Sequence, residues 1–163
     1  KEQHLSVVLQ NSLKLEGYSI EIMNGSVSGS TSAGGLNIAE WTLSENNIDL
    51  MILCLGANDM LRGISPKETK NNLEEIIKIT KSKNIKVIIA GMISPTSYGF
   101  SYKNSFDKIF SDLSKKHKLQ LIPFLLEGVA QKPEFNLSDG MHPNDQGTII
   151  ISNTLKKAIL ENL

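Results

Sequence analysis

The chain has 163 residues, with 17 basic and 17 acidic side chains. A length of this order buries one core and falls short of two independent ones, and the charge balance argues against nucleic acid or an anionic membrane as the main partner. Apolar residues nowhere run to the ~18 needed for a membrane span, and the longest such stretch, 48–55, is interrupted by Asp49. From the N-terminus, Leu5, Val8, Leu9, Ser12 and Leu13 recur on one helical face, and Gly17 closes that helix. Residues 19–23, rich in isoleucine, read as a strand, and 25–35 as a loop of Gly, Ser and Thr. A helix over 36–46 then leads into the apolar strand 48–55, which reads as buried on both faces. Cys54 sits there as a small buried hydrophobe, and because it is the only cysteine it excludes an intrachain disulfide and a cysteine-based metal site.

Ser65-Pro66 opens the next helix, with Pro66 in the first turn where no N–H is needed, and Leu73, Ile76, Ile77 and Thr80 mark its inner face. Residues 86–90 form a strand ending at Gly91. Tyr102, Phe106, Ile109, Phe110 and Leu113 line another helix, 119–123 is a short strand, and a final helix covers 145–161. Strands that alternate with helices, through connections too long for hairpins, predict right-handed βαβ units. The class is α/β, a three-layer α/β/α sandwich around a parallel sheet. Neither a repeat nor a linker divides 1–163, so one domain is expected. Ligands of such sheets bind beyond the carboxyl ends of the strands, where the loops 25–35, 56–59, 92–99 and 139–142 are expected to converge.

Those loops hold the residues with chemistry. Asp139-Gly140-Met141-His142-Pro143-Asn144 places a carboxylate and an imidazole three residues apart. An Asp that accepts from one ring nitrogen holds a His in the tautomer that takes a proton at the other, the arrangement of a general base. The same six residues also read as an Asp-Gly turn that starts the last helix. Gly56-Ala57-Asn58-Asp59 follows the most buried strand, where a polar pair is costly unless hydrogen-bonded. There the Asn58 amide suits an oxyanion donor, or Asn58 and Asp59 make an Asx turn. Gly29 offers an unhindered backbone N–H as a second donor, or is a flexible loop glycine. His4 and His117 lack neighbours at metal-ligand spacing, and no metal or other cofactor is expected. Trp41 reads as core or interface.

Asn24-Gly25-Ser26-Val27-Ser28-Gly29-Ser30-Thr31, Leu55-Gly56-Ala57-Asn58-Asp59-Met60-Leu61-Arg62-Gly63 and Asp139-Gly140-Met141-His142-Pro143-Asn144 resemble, in order, three of the four blocks of the SGNH or GDSL hydrolases. Ile122-Pro123-Phe124-Leu125-Leu126-Glu127-Gly128-Val129 and Pro95-Thr96-Ser97-Tyr98-Gly99 are similar to the bacterial branch with thioesterase, arylesterase and lysophospholipase activities. The resemblance implies a flavodoxin-like sheet of about five strands. It implies His142 as base oriented by Asp139, with Gly29 N–H and the Asn58 side chain as oxyanion donors beside the N–H of a nucleophilic serine. Met60 belongs to a loop expected over the acyl group, and Ser94 and Pro95 match positions that line the acyl pocket.

The first block, Gly-Asp-Ser-Leu on the turn after the first strand, has no counterpart in the 163 residues. The expectation is an N-terminally incomplete domain, with a first strand and its serine some 20–30 residues upstream, about the length of a strand, a turn and a helix start. The expected activity is hydrolysis of carboxylic esters or thioesters of small to medium acyl chains through an acyl-enzyme. Two alternatives stay open: a carbohydrate or lysophospholipid deacylase on the same fold, and a non-catalytic acyl-binding module if the nucleophile is absent. The expected partner is a small acyl ester or thioester. The apolar 60–64 rim leaves a homodimer open, and the resemblance leans towards a periplasmic or secreted protein.

Overall fold

A computed structural model describes residues 4–44 and 47–163. In chain order the elements are α1 (Leu5–Leu15), α2 (Ser32–Thr42), β1 (Leu50–Leu53), α3 (Ala57–Leu61), α4 (Pro66–Ser82), β2 (Lys86–Ala90), α5 (Phe100–His117), β3 (Gln120–Ile122) and α6 (Asp145–Leu160). Short 3-10 turns lie at Thr96–Tyr98 and Pro133–Phe135. The chain divides into two compact units, Gly25–Phe124 and the residues up to Asn24 together with Leu125–Leu163.

In the Gly25–Phe124 unit the strands run parallel in the order β1-β2-β3, with Met51 opposite Val87 and Ile89 opposite Leu121. Parallel neighbours need crossovers, and α4 and α5 supply them. On β2, Val87 and Ile89 point into a core with Leu73, Ile76 and Ile77 of α4 and Phe106, Ile109, Phe110 and Leu113 of α5. Ile88 and Ala90 point to the opposite face and are also fully buried, so the central strand is covered on both sides, as its unbroken apolar run requires. Each fully buried Leu, Ile or Phe contributes about 1.5–3 kcal/mol of burial free energy, so this strand and its two helices dominate the unit's stability. Polar ties close the outside of the same helix pair. Glu74 of α4 meets Lys116 at 2.6 Å and His117 at 2.8 Å, and Lys70 meets Asp112 at 2.7 Å.

In the other unit α1 packs on α6, with Leu9 and Leu13 buried from one helix and Ile151, Leu155, Ala158 and Ile159 from the other. Lys156 of α6 reaches back to Ser12 Oγ at 2.9 Å and to the Glu16 carboxylate.

The α/β class, the parallel sheet and the strand at 86–90 agree with expectation; several details do not. Three strands are present among the described residues, against about five. Residues 19–23 form no strand: no strand among the described residues pairs with them, and the Gln10 side-chain amide donates to Ile20 O and accepts from Ile22 N–H. The helix expected over 36–46 starts at Ser32, since the Thr31 hydroxyl accepts from Gly34 N–H at 3.3 Å and caps it. Its expected far end includes residues 45–46, outside the described residues. The strand expected at 48–55 to be buried on both faces is β1, an edge strand of the sheet among the described residues, with Leu50, Met51 and Ile52 only partly buried. Cys54 is exposed just beyond it, and Trp41 stands on α2 with 79% of its surface open.

Candidate active site

The base of the 139–142 loop is closed by backbone bonds. Leu137 N–H donates to His142 O at 2.7 Å and Asn144 N–H to Phe135 O at 3.0 Å, forming an antiparallel bridge between Asn136 and Pro143. Asn144 caps α6: its Oδ1 accepts from Gln146 and Gly147 N–H, both at 3.0 Å, while its Nδ2 donates to Glu134 O at 2.9 Å. Gly147 sits so close beneath this joint that a Cβ there would lie 2.2 Å from Phe135 O. Asn144 thus caps α6, whose first helical residue is Asp145, and Asp139 is free of that duty.

Asp139 binds its own loop instead. Its Oδ1 accepts from Met141 N–H at 2.8 Å and His142 N–H at 3.0 Å, and its Oδ2 meets His142 Nδ1 at 2.6 Å. The His142 backbone N–H first, then its imidazole, then the Met141 N–H hold the Asp139 carboxyl down to about 2. A carboxylate facing Nδ1 requires the proton on Nδ1, so Nε2 of the neutral ring is the basic nitrogen. The His142 side chain is 71% exposed, open to an incoming hydroxyl.

In the Gly25–Phe124 unit the segments 28–32 and 57–62 are bound together. Asn58 Nδ2 donates to Ser30 O at 3.0 Å, and Arg62 Nη2 donates to Gly29 O at 2.9 Å. Gly29 has φ +72°, a left-handed conformation that glycine adopts without strain. Asp59 is fully buried: its Oδ2 accepts from Ser32 N–H at 2.7 Å, and its Oδ1 accepts from Ser32 Oγ and, at 3.2 Å, from Thr69 Oγ1. Asn72 Nδ2 donates to Ser32 Oγ at 3.0 Å. Among the described residues, neither Asn58 nor Asp59 makes the Asx turn considered for them. Both reach across to the 28–32 segment, so an amide nitrogen and the Gly29 peptide are held together beyond the carboxyl end of β1. Thr69 and Asn72, which complete the cluster from α4, carry no signal of their own in the sequence. The usable signal was the expense of an Asn-Asp pair directly after an apolar strand.

Met60 is half-buried at the start of a segment fastened to α5 and the turn before it, through Tyr98 Oη to Leu61 O at 3.0 Å and Tyr102 Oη to Ile64 O at 2.8 Å. Pro95 is exposed, whereas Ser94 is buried. Asp107 accepts from Ser94 N–H at 2.8 Å, Lys103 donates to Ser94 O at 2.7 Å, and the Ser94 hydroxyl donates to Pro95 O at 3.1 Å.

An acid–base pair with one open imidazole nitrogen, and a paired amide and glycine peptide after a parallel strand, are both parts used in acyl transfer. Comparison with known proteins points the same way. An arylesterase of Vibrio mimicus is 33% identical over 156 residues, 96% of this chain and 78% of that protein. Thioesterase 1/protease 1/lysophospholipase L1 of Escherichia coli is 32% identical over 138 residues, 85% of this chain and 66% of that protein. The crystal structure of TesA superposes with a TM-score of 0.91 at 31% identity, covering 98% of this chain and 88% of that one. Since the profile of the GDSL-like lipase/acylhydrolase family also matches residues 3–148, through all three blocks, the chain belongs to that family.

Proposed function

We propose that this protein is a serine hydrolase that cleaves carboxylic esters and thioesters of small to medium acyl chains through an acyl-enzyme. The observation that carries this reading is the 2.6 Å contact from Asp139 Oδ2 to His142 Nδ1, which leaves Nε2 as the base. A serine hydroxyl gives its proton to His142 Nε2 and attacks the substrate carbonyl. The negative charge that develops on oxygen is held by Gly29 N–H, one Asn58 amide hydrogen and the N–H of the serine. His142 then protonates the leaving alcohol or thiol as the C–O or C–S bond breaks, and later takes a proton from the water that releases the acid. The serine is expected in a Gly-Asp-Ser block, which the 163 residues do not contain.

Residues 1–163 are taken as belonging to one hydrolase domain, because the family match runs from residue 3 to 148 and so crosses both compact units. Met60 and Pro95 are assigned to the acyl-binding wall. Ser94, being buried, supports that wall through its backbone bonds to Lys103 and Asp107.

The test uses the full-length protein with p-nitrophenyl and thioester substrates of rising acyl length, beside acetylated sugars. Asn58→Ala is expected to lower kcat on the order of a hundredfold, as loss of one oxyanion donor does elsewhere. An Asn58→Ala enzyme at the wild-type rate would contradict the assignment, and a preference for acetylated sugars would move the substrate class to carbohydrate esters.

A further inference from the structure

Asp59 has no part in the chemistry proposed above, yet it is a carboxylate with no exposed surface and three donors. Such burial is costly unless the hydrogen bonds it secures matter. Those bonds join three elements. Ser32 N–H, which Asp59 accepts at 2.7 Å, belongs to the first turn of α2, where backbone donors have no partner within the helix. Thr69 and Asn72 come from α4, one donating to Asp59 and the other to the Ser32 hydroxyl. Asp59 itself follows Asn58 directly on α3.

The consequence lies one to three residues away. Ser32 is the first helical residue after the 29–31 segment, so fixing its N–H fixes where that segment leaves α2. Asn58 precedes Asp59, so the same carboxylate fixes where the amide starts. Between the two runs the bond from Asn58 Nδ2 to Ser30 O, 3.0 Å long. An amide nitrogen carries two hydrogens, and this bond spends one and directs the other. We infer that Asp59 is the positioning residue of the oxyanion site: through Ser32 it sets the spacing between the Gly29 N–H and the Asn58 amide. This inference rests on the oxyanion role of Asn58 proposed above.

Asp59→Asn keeps the shape but replaces one acceptor oxygen by a donor, facing Ser32 N–H or its hydroxyl. Donors misplaced by a fraction of an ångström still admit substrate but stabilise the transition state less. The expected result is a fall in kcat on the order of a hundredfold with KM changed less than about threefold, the size of losing one oxyanion donor. The decisive comparison is Asp59→Asn made in the Asn58→Ala background. If Asp59 acts through Asn58, the second substitution costs little more there. If Asp59 only supports the fold, its effect multiplies in full, because independent effects add in free energy.

Should Asp59→Asn fail to fold, Ser32→Ala and Thr69→Val, which each remove one hydroxyl from the cluster, carry the same cycle. They are expected to give smaller falls in kcat that also vanish in the Asn58→Ala background. A multiplicative cycle, or a folded Asp59→Asn enzyme with wild-type kcat, overturns the inference while Asn58 stands. An Asn58→Ala enzyme with an unchanged rate overturns the reading of the oxyanion site itself.

Discussion

At the scale of single residues, the Asp139–His142 pair is a device of three residues' span that works through tautomer control. Asp139→Asn would keep an acceptor for the Met141 and His142 N–H groups but turn an amide donor toward Nδ1. The ring would then favour the tautomer protonated on Nε2, which cannot take a proton. Full-length Asp139→Asn enzyme is expected to lose roughly 10²–10⁴ in kcat, within the range for general-base loss, with its melting temperature little changed because both side chains are exposed. The carboxyl of Asp139, held down to about 2, stays ionised until strongly acid pH. Any decline in rate between neutral pH and about pH 4 therefore arises from other groups, and a pH–rate profile checks it.

At the scale of elements, α4 and α5 are joined across their solvent side by Glu74. The Lys116 ammonium first, then His117, hold its carboxyl down to about 2. A depressed carboxyl contributes stability that is complete above its unfolded value, 4.5 here, and is lost as pH falls toward its folded value. Glu74→Gln should thus lower the melting temperature above about pH 5, and the gap from wild type should close between about pH 4.5 and 2. Thermal melts of both proteins at several pH values read this directly, and a gap that widens in acid would refute it. The helices themselves were legible because their apolar spacing repeats at helical period: Leu73, Ile76, Ile77 and Thr80, expected on the inner face of α4, are all buried. The strand at 19–23 misled for the opposite reason. Isoleucines mark a liking for extended backbone, but a strand exists only where another strand pairs with it, and none among the described residues does so here.

At the scale of the whole molecule, the core of the Gly25–Phe124 unit is laid down on β2. Ile89 lies at its centre with no exposed surface, packed among α4 and α5 side chains. Ile89→Ala is expected to cost about 2–5 kcal/mol, the sum of lost burial and the cavity left behind, and denaturant titration measures it. A loss below about 1 kcal/mol would mean that the core collapses onto the gap.

The sequence by itself determined the α/β class, the existence of the strand at 86–90, the main helices and the Asp139–His142 pair. Each rests on periodicity or on bonds between residues two or three apart, and such relations travel with the chain wherever it goes. The tertiary structure alone decided that Ser32 and Asp59, 27 residues apart, share two hydrogen bonds. It also decided that Asn72, 40 residues from Ser32, completes the cluster. Nothing in local spacing marks such partners, because a buried carboxylate accepts from whichever donors the packed helices bring to it, and packing is a property of the folded whole.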